Sequence, residues 1–106
     1  MSKREQAIQY LKVIIEPLCR FPDELVIEDK LDLRGLIIDV RANKEDTPLL
    51  VGRGGIIKHS ISNIMNVWGA INLAKIVVYF GSAETDFEQM RNEMKKRYEE
   101  YIGNKV

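Results

Sequence analysis

One cysteine (Cys19) and one histidine (His59) occur in the 106 residues. A single cysteine excludes an intramolecular disulfide and a cysteine-built zinc site. A single histidine argues against a histidine-based catalytic pair or metal cluster. Cys19 is expected to act as a small buried apolar residue at the end of the first helix. Long apolar runs are also missing, so no membrane insertion is expected. Met1 to Gln6 is polar and lacks the apolar core of a secretory signal, and a cytoplasmic address is the expectation. Excess charge is absent as well: 16 Lys and Arg balance 16 Asp and Glu. This lacks the overall basic footprint common among nucleic-acid binders. Asp and Glu are, however, absent from Thr47 to Ala83, where Arg53, Lys58, His59 and Lys75 remain. A surface built from that window can approach phosphates; the same gap would arise if the window were the buried half of the fold.

What is present is ordinary for one globular domain, 45% apolar and 30% charged. Ala7, Ile8, Leu11, Ile14, Ile15 and Leu18 recur at helical spacing, which predicts a helix over Arg4 to Leu18 that Pro17 kinks or ends. Phe21-Pro22-Asp23 reads as a turn and Glu24 to Leu31 as a strand. Asp32-Leu33-Arg34-Gly35 then reads as a hairpin loop. Leu36, Ile38 and Val40 alternate with Ile37, Asp39 and Arg41, which predicts a strand with one buried face. Thr47 is read as the cap of a short helix opening on Pro48 and ending at Gly52. A second helix follows Gly55, with the stripe Ile57, Ile61, Ile64 and Trp68, and Gly69 is read as its end. Lys75 to Phe80 is apolar after its first residue and reads as a central strand. Thr85-Asp86-Phe87-Glu88 has capping-box spacing and opens a last helix reaching about Ile102. The predicted class is α+β, with helices on one face of a three-stranded sheet plus an extra C-terminal helix.

The chemistry concentrates in Gly52-Arg53-Gly54-Gly55, between two helices. Glycines let the backbone bend sharply and let another backbone come close. The helix start beyond them offers amides and a partial positive charge, and arginine's planar guanidinium fits phosphate. A Walker loop needs Lys followed by Ser or Thr after its last glycine, where Ile56 and Ile57 stand. A dinucleotide fingerprint needs a third glycine where Ile57 stands, and a preceding strand. The G-x-x-G loop of KH domains, which joins two helices and clamps a single-stranded backbone, matches both the residues and their setting.

The chain resembles the KhpA family of small bacterial single-KH proteins, which have the type II arrangement. Val51-Gly52-Arg53-Gly54-Gly55 is similar to the family's Ile-Gly-Lys-Gln-Gly. Ile57, Ile61 and Gly69 fall where the family has apolar residues and a helix end. Ile14-Ile15-Glu16-Pro17-Leu18, then Phe21-Pro22-Asp23-Glu24, resembles the family's Ile-Val-Lys-Pro-Leu followed by His-Pro-Glu-Asp. The resemblance runs from Ala7 to Phe80. It implies a type II KH domain over residues 1–82, single-stranded RNA binding, no catalysis and a cytoplasmic setting. It also implies homodimerisation, or heterodimerisation with a larger KH-containing partner. Pro48 and Leu49 stand where the family tends to have Gly and Lys, Ile56 replaces a common basic residue, and His59 sits at a frequent lysine position. Trp68 is bulkier than the usual alanine. The helix within residues 83–106 is an extension expected to pack on the same domain.

The expected RNA-binding residues are Gly52, Arg53, Gly54, Gly55, Ile56, Lys58 and His59. Arg53 is expected to be the principal phosphate contact, the alternative being an ordinary solvated loop arginine, while Ile56 either floors a groove for bases or merely packs. Lys58 and His59 are expected to be accessible; for His59, phosphate contact and an ordinary surface histidine are equal alternatives. Trp68 is read as core and not as a base platform. In the last helix Phe87, Met90, Met94, Tyr98 and Tyr101 make a narrow stripe. It suits packing on the chain's own domain, or a dimer seam of coiled-coil spacing; the first is expected. Arg91, Lys95, Lys96 and Arg97 are offset by Glu93, Glu99 and Glu100, as on a solvated face. No nucleophile–base pair or ligand cluster is visible, so no catalytic residue, metal or cofactor is expected. The alternative to RNA binding is a protein-interaction module that keeps the KH fold mainly to dimerise.

Overall fold

Ala7, Leu11 and Ile15 lie at helical spacing. In the computed structural model, which describes residues 2–103 without the side chains of 98, 101 and 102, they form the fully buried face of α1 (Lys3–Ile15). Burying a Leu or Ile side chain contributes about 1.5–3 kcal/mol, so this face anchors the helix. The Ser2 hydroxyl accepts the Glu5 N–H and caps the start. Pro17 has no N–H to continue the ladder, and the chain tightens into a 3-10 turn over Glu16–Leu18. Leu18 is exposed and lies outside the buried stripe.

After a second 3-10 turn at Pro22–Glu24, β1 (Val26–Asp32) pairs antiparallel with β2 (Gly35–Arg41). Asp32 lies opposite Gly35, so Leu33 and Arg34 make a two-residue hairpin turn. Then come α2 (Thr47–Val51), α3 (Ile56–Asn72), β3 (Ile76–Gly81) and α4 (Phe87–Gly103). β3 pairs parallel with β2, giving a mixed sheet of order β1-β2-β3. The fold is α+β.

The sheet departs from the sequence reading in two linked ways. β3 is an edge strand and β2 is the central one. The face of β2 that carries Ile37, Asp39 and Arg41 is also covered: Ile37 is 2% exposed. The covered second face of β2 and the unbroken apolar run of β3 have one source, which is α4. Leu36, Ile38 and Val40 join Ile76, Val78 and Phe80 in the core beneath α1, α2 and α3. On the other face Phe87 is buried beneath the Arg41 guanidinium, 4.6 Å from its ring centre. Arg91 grips both Asp39 carboxylate oxygens at 2.8 and 2.7 Å. An unbroken apolar strand reports cover on two faces, which α4 supplies, and not a neighbour on each side. Along the α4 stripe, Met90 is half-buried and Met94 half-exposed. The side chains of Tyr98 and Tyr101 lie outside the described residues.

Three helix-end assignments change. Asp46, not Thr47, precedes α2, and Thr47 is its first residue. Asp86 caps α4 by accepting the Gln89 N–H at 3.0 Å, while the Thr85 hydroxyl accepts the Ser82 N–H at 2.9 Å. Gly69 does not end α3, which runs on to Asn72. It marks a close approach instead: a β-carbon there would lie 2.8 Å from the Ile76 side chain and nearer still to the Ala74 carbonyl. The buried stripe of α3 is Ile61, Met65 and Gly69, with Ile57 and Trp68 at its margin. Ile64, assigned to that stripe from sequence, is exposed. Trp68 packs on the core and stacks on Tyr10, ring centres 6.3 Å apart.

Candidate nucleic-acid interface

The glycine loop sits at the end of α2, and α2 is held from three directions. Leu50 plugs the core. The Thr47 hydroxyl lies 3.2 Å from the Asn43 carbonyl and 3.1 Å from the Gly81 carbonyl, tying the helix start to the end of β3. Asp46, fully buried, accepts the Arg20 N–H at 2.8 Å and the Phe21 N–H at 3.0 Å. That carboxylate fastens the segment after α1 to the entrance of α2. A buried charge persists only when paired or hydrogen-bonded, and two amide donors meet that need. The thiol of nearby Cys19, half-buried, is pushed up, first by burial and then by the Asp46 and Glu16 carboxylates. It remains a protonated thiol at neutral pH.

α2 stops after five residues because Gly52 turns the chain at φ 77°, its N–H returning to the Pro48 carbonyl at 2.9 Å. Gly54 (φ 63°) and Gly55 (φ 79°) also take positive φ, and the Gly55 N–H donates to the Gly52 carbonyl at 3.0 Å. Backbone of this kind favours glycine because a β-carbon collides with the following carbonyl. The three glycines have different surroundings. A β-carbon on Gly52 would lie 2.7 Å from Ile57 Cγ1, so this glycine is packed. One on Gly55 would touch the His59 ring at 3.3 Å. Gly54 has nothing within 4 Å of that position, and its backbone is open to an incoming molecule.

α3 begins at Ile56 without a side-chain cap on its N-terminus. Arg53 is exposed and makes no hydrogen bond or ion pair among the described residues, and the same holds for His59. Ile56 is 63% exposed and so is not part of the packed core. At 100° per residue, His59 lies 60° from Ile56 around α3, whereas Lys58 lies about 160° away. The structure therefore groups Arg53, Gly54, Ile56 and His59 at one end of α3. Lys58 is half-buried on another side of the helix, less accessible than the sequence reading expected.

A feature the sequence reading missed continues this surface. Ile64, Val67 and Ile71 are exposed and fall within about 60° of one another on the solvent face of α3. The signal was a second i, i+3, i+7 apolar pattern, displaced from the core stripe and hidden by it. Among the described residues no group of three or more His, Cys, Asp or Glu side chains could hold a metal ion. No described helix is long and apolar enough to cross a membrane. In comparisons with known proteins, no family model matches the chain, and no curated protein or solved structure matches it either.

Proposed function

We propose that the chain is a type II KH module that binds single-stranded RNA without catalysis, in the cytoplasm, by clamping the sugar-phosphate backbone in the loop Gly52-Arg53-Gly54-Gly55. The observation that carries this reading is the loop itself: an unpaired, exposed Arg53 beside Gly54, whose backbone has open space above it, directly before the uncapped start of α3. The element order α1-β1-β2-α2-α3-β3, with β2 central and parallel to β3, supports it as the frame in which such a loop clamps a strand. His59 and the helix start add donors, and Ile56 offers an apolar surface for a splayed base.

Replacing Arg53 and Gly54 together by Asp tests the reading. Both positions are exposed, so circular dichroism should show an intact fold. Gel shifts with short single-stranded RNAs should show binding abolished. A folded double variant with undiminished RNA affinity would refute the site. With few cations at the loop, the log–log salt slope should be near about −2, as expected for two or three phosphates on a single strand.

The exposed stripe Ile64, Val67 and Ile71, with Val13 of α1 71% exposed, favours a second reading. In it the module mainly binds protein, either a second copy or a larger KH-containing chain. Sedimentation of the intact chain and of Val67→Glu separates the two. Self-association lost in the variant while RNA binding is kept would favour a protein role for this face.

A further inference from the structure

We propose a second binding site, on the sheet face opposite the glycine loop's helices, for a nucleoside monophosphate unit, either free or at an RNA end. Between α4 and the sheet lies a cleft of about 390 Å³, within the size range of small-ligand pockets. Its apolar part is Ile37, Val77 and Met94, with the Tyr79 ring beside them. Its charged lining residues are all cations: Arg34 from the hairpin turn, Lys75 from the segment before β3, and Arg91 and Lys95 from α4. No carboxylate lines it among the described residues.

Two of these cations are already partnered. Arg34 pairs with Asp32 at 2.9 Å and Arg91 with Asp39 at 2.7 Å. Lys75 and Lys95 make no ion pair or hydrogen bond among the described residues. The cleft therefore holds a surplus of two positive charges, which a phosphate dianion would neutralise. Arg91 is held to Asp39 through Nη1 alone, leaving Nη2 and Nε uncommitted on a fixed guanidinium. A donor fixed in advance loses little entropy when it meets an anion. The phenol of Tyr79, beside Met94 and the two strand side chains, provides a flat apolar surface for a base. Phosphate on the lysines with a base on Tyr79 uses both halves of the cleft. Inorganic phosphate uses one half only.

The test uses the intact chain and calorimetric titration with adenosine monophosphate, ribose 5-phosphate and inorganic phosphate. Adenosine monophosphate should saturate with a dissociation constant no weaker than about 1 mM and bind more tightly than the other two. Charge reversal at the exposed lysines, Lys75→Glu with Lys95→Glu, should weaken it at least about tenfold. The Arg53→Asp and Gly54→Asp variant should bind it unchanged, so the two sites succeed or fail separately. Competition by a 5′-phosphorylated RNA, but not by its 5′-hydroxyl counterpart, would place the unit at an RNA end; no competition would make it a free nucleotide. Failure to saturate by about 5 mM would overturn the proposal. So would phosphate binding as tightly as the nucleotide, or an unchanged affinity in the lysine variant.

Discussion

Asp46 is the one buried polar side chain among the described residues, and its removal gives a sharp test of how the glycine loop is positioned. In Asp46→Ala the Arg20 and Phe21 amides lose the carboxylate they point at, 2.8 and 3.0 Å away. A hydrogen bond to a charged group contributes about 1.5–3 kcal/mol, and an unmet buried donor costs about 1–3 kcal/mol. Arg20 and Phe21 are themselves exposed, so water can reach part of the gap, and the variant no longer buries a charge. The expected loss is about 2–4 kcal/mol, a large share of the roughly 5–15 kcal/mol that holds a domain together. For a chain of this size that lowers the melting temperature by about 10–25 °C. Asp46→Asn keeps one acceptor oxygen but turns an NH2 toward the second amide, so it should lose about half as much or more. Urea unfolding followed by circular dichroism reads the stability. Hydrogen exchange at the Arg20 and Phe21 amides reads the local bond. An Asp46→Ala protein within about 0.5 kcal/mol of the parent would refute the reasoning, because a change that small is typical of surface positions.

Two of the three loop glycines, Gly52 and Gly54, should behave differently. Gly54→Ala meets only backbone strain, about 1–2 kcal/mol, whereas Gly52→Ala adds a collision with Ile57 and should cost about 2–4 kcal/mol in denaturant unfolding. Arg91→Ala strands the part-buried Asp39 carboxylate and should destabilise by about 1–3 kcal/mol, with exchange protection lost in α4 before the rest of the fold. Equal loss of protection throughout would count against α4 as a locally anchored layer. Asp32 should titrate below the ordinary aspartate value of about 3.9, chiefly because of its side-chain hydrogen bond with Arg34 and then the Arg34 backbone N–H. The sign follows from the depressed value: the hairpin tie is fully present above the unfolded pKa and fades as pH falls through the lower folded one. A carboxyl NMR titration reads the midpoint, and Arg34→Ala should return it toward the ordinary value.

Much of the chain was legible in one dimension, because local chemistry decides it. The core positions Ala7, Leu11 and Ile15, a helix stop near Pro17, a hairpin bend within Asp32–Gly35 and the glycine loop all follow from spacing, missing donors and positive-φ backbone, which act within a few residues. Other elements were misread where a distant partner overrides a local signal. Gly69 looks like a helix end from its neighbours, yet its role is set by Ala74 and Ile76 packing against it. Thr47 and Thr85 have the side chains of helix caps, but their hydroxyls are engaged elsewhere: Thr47 faces the Asn43 and Gly81 carbonyls, and Thr85 accepts from Ser82.

The candidate site divides in the same way. The order Gly-Arg-Gly-Gly between two helices was enough to mark a sharply bent loop, since the need for glycine at positive-φ backbone is written into the residues themselves. Which glycine is packed and which is open depends on where Ile57 and His59 stand, and only the folded chain decides that. The same holds for Lys58, half-buried by the turn of α3, and for Asp46, whose partners Arg20 and Phe21 lie far back along the chain. It holds most of all for α4. Its apolar stripe required a surface to cover, but the choice of the second face of the sheet rests on Arg91 pairing with Asp39 and Phe87 packing beneath Arg41, between elements that are separate in sequence. Short-range sterics and hydrogen bonding are determined by sequence order. Burial, charge pairing and the shape of a cleft are determined by which distant segments come together.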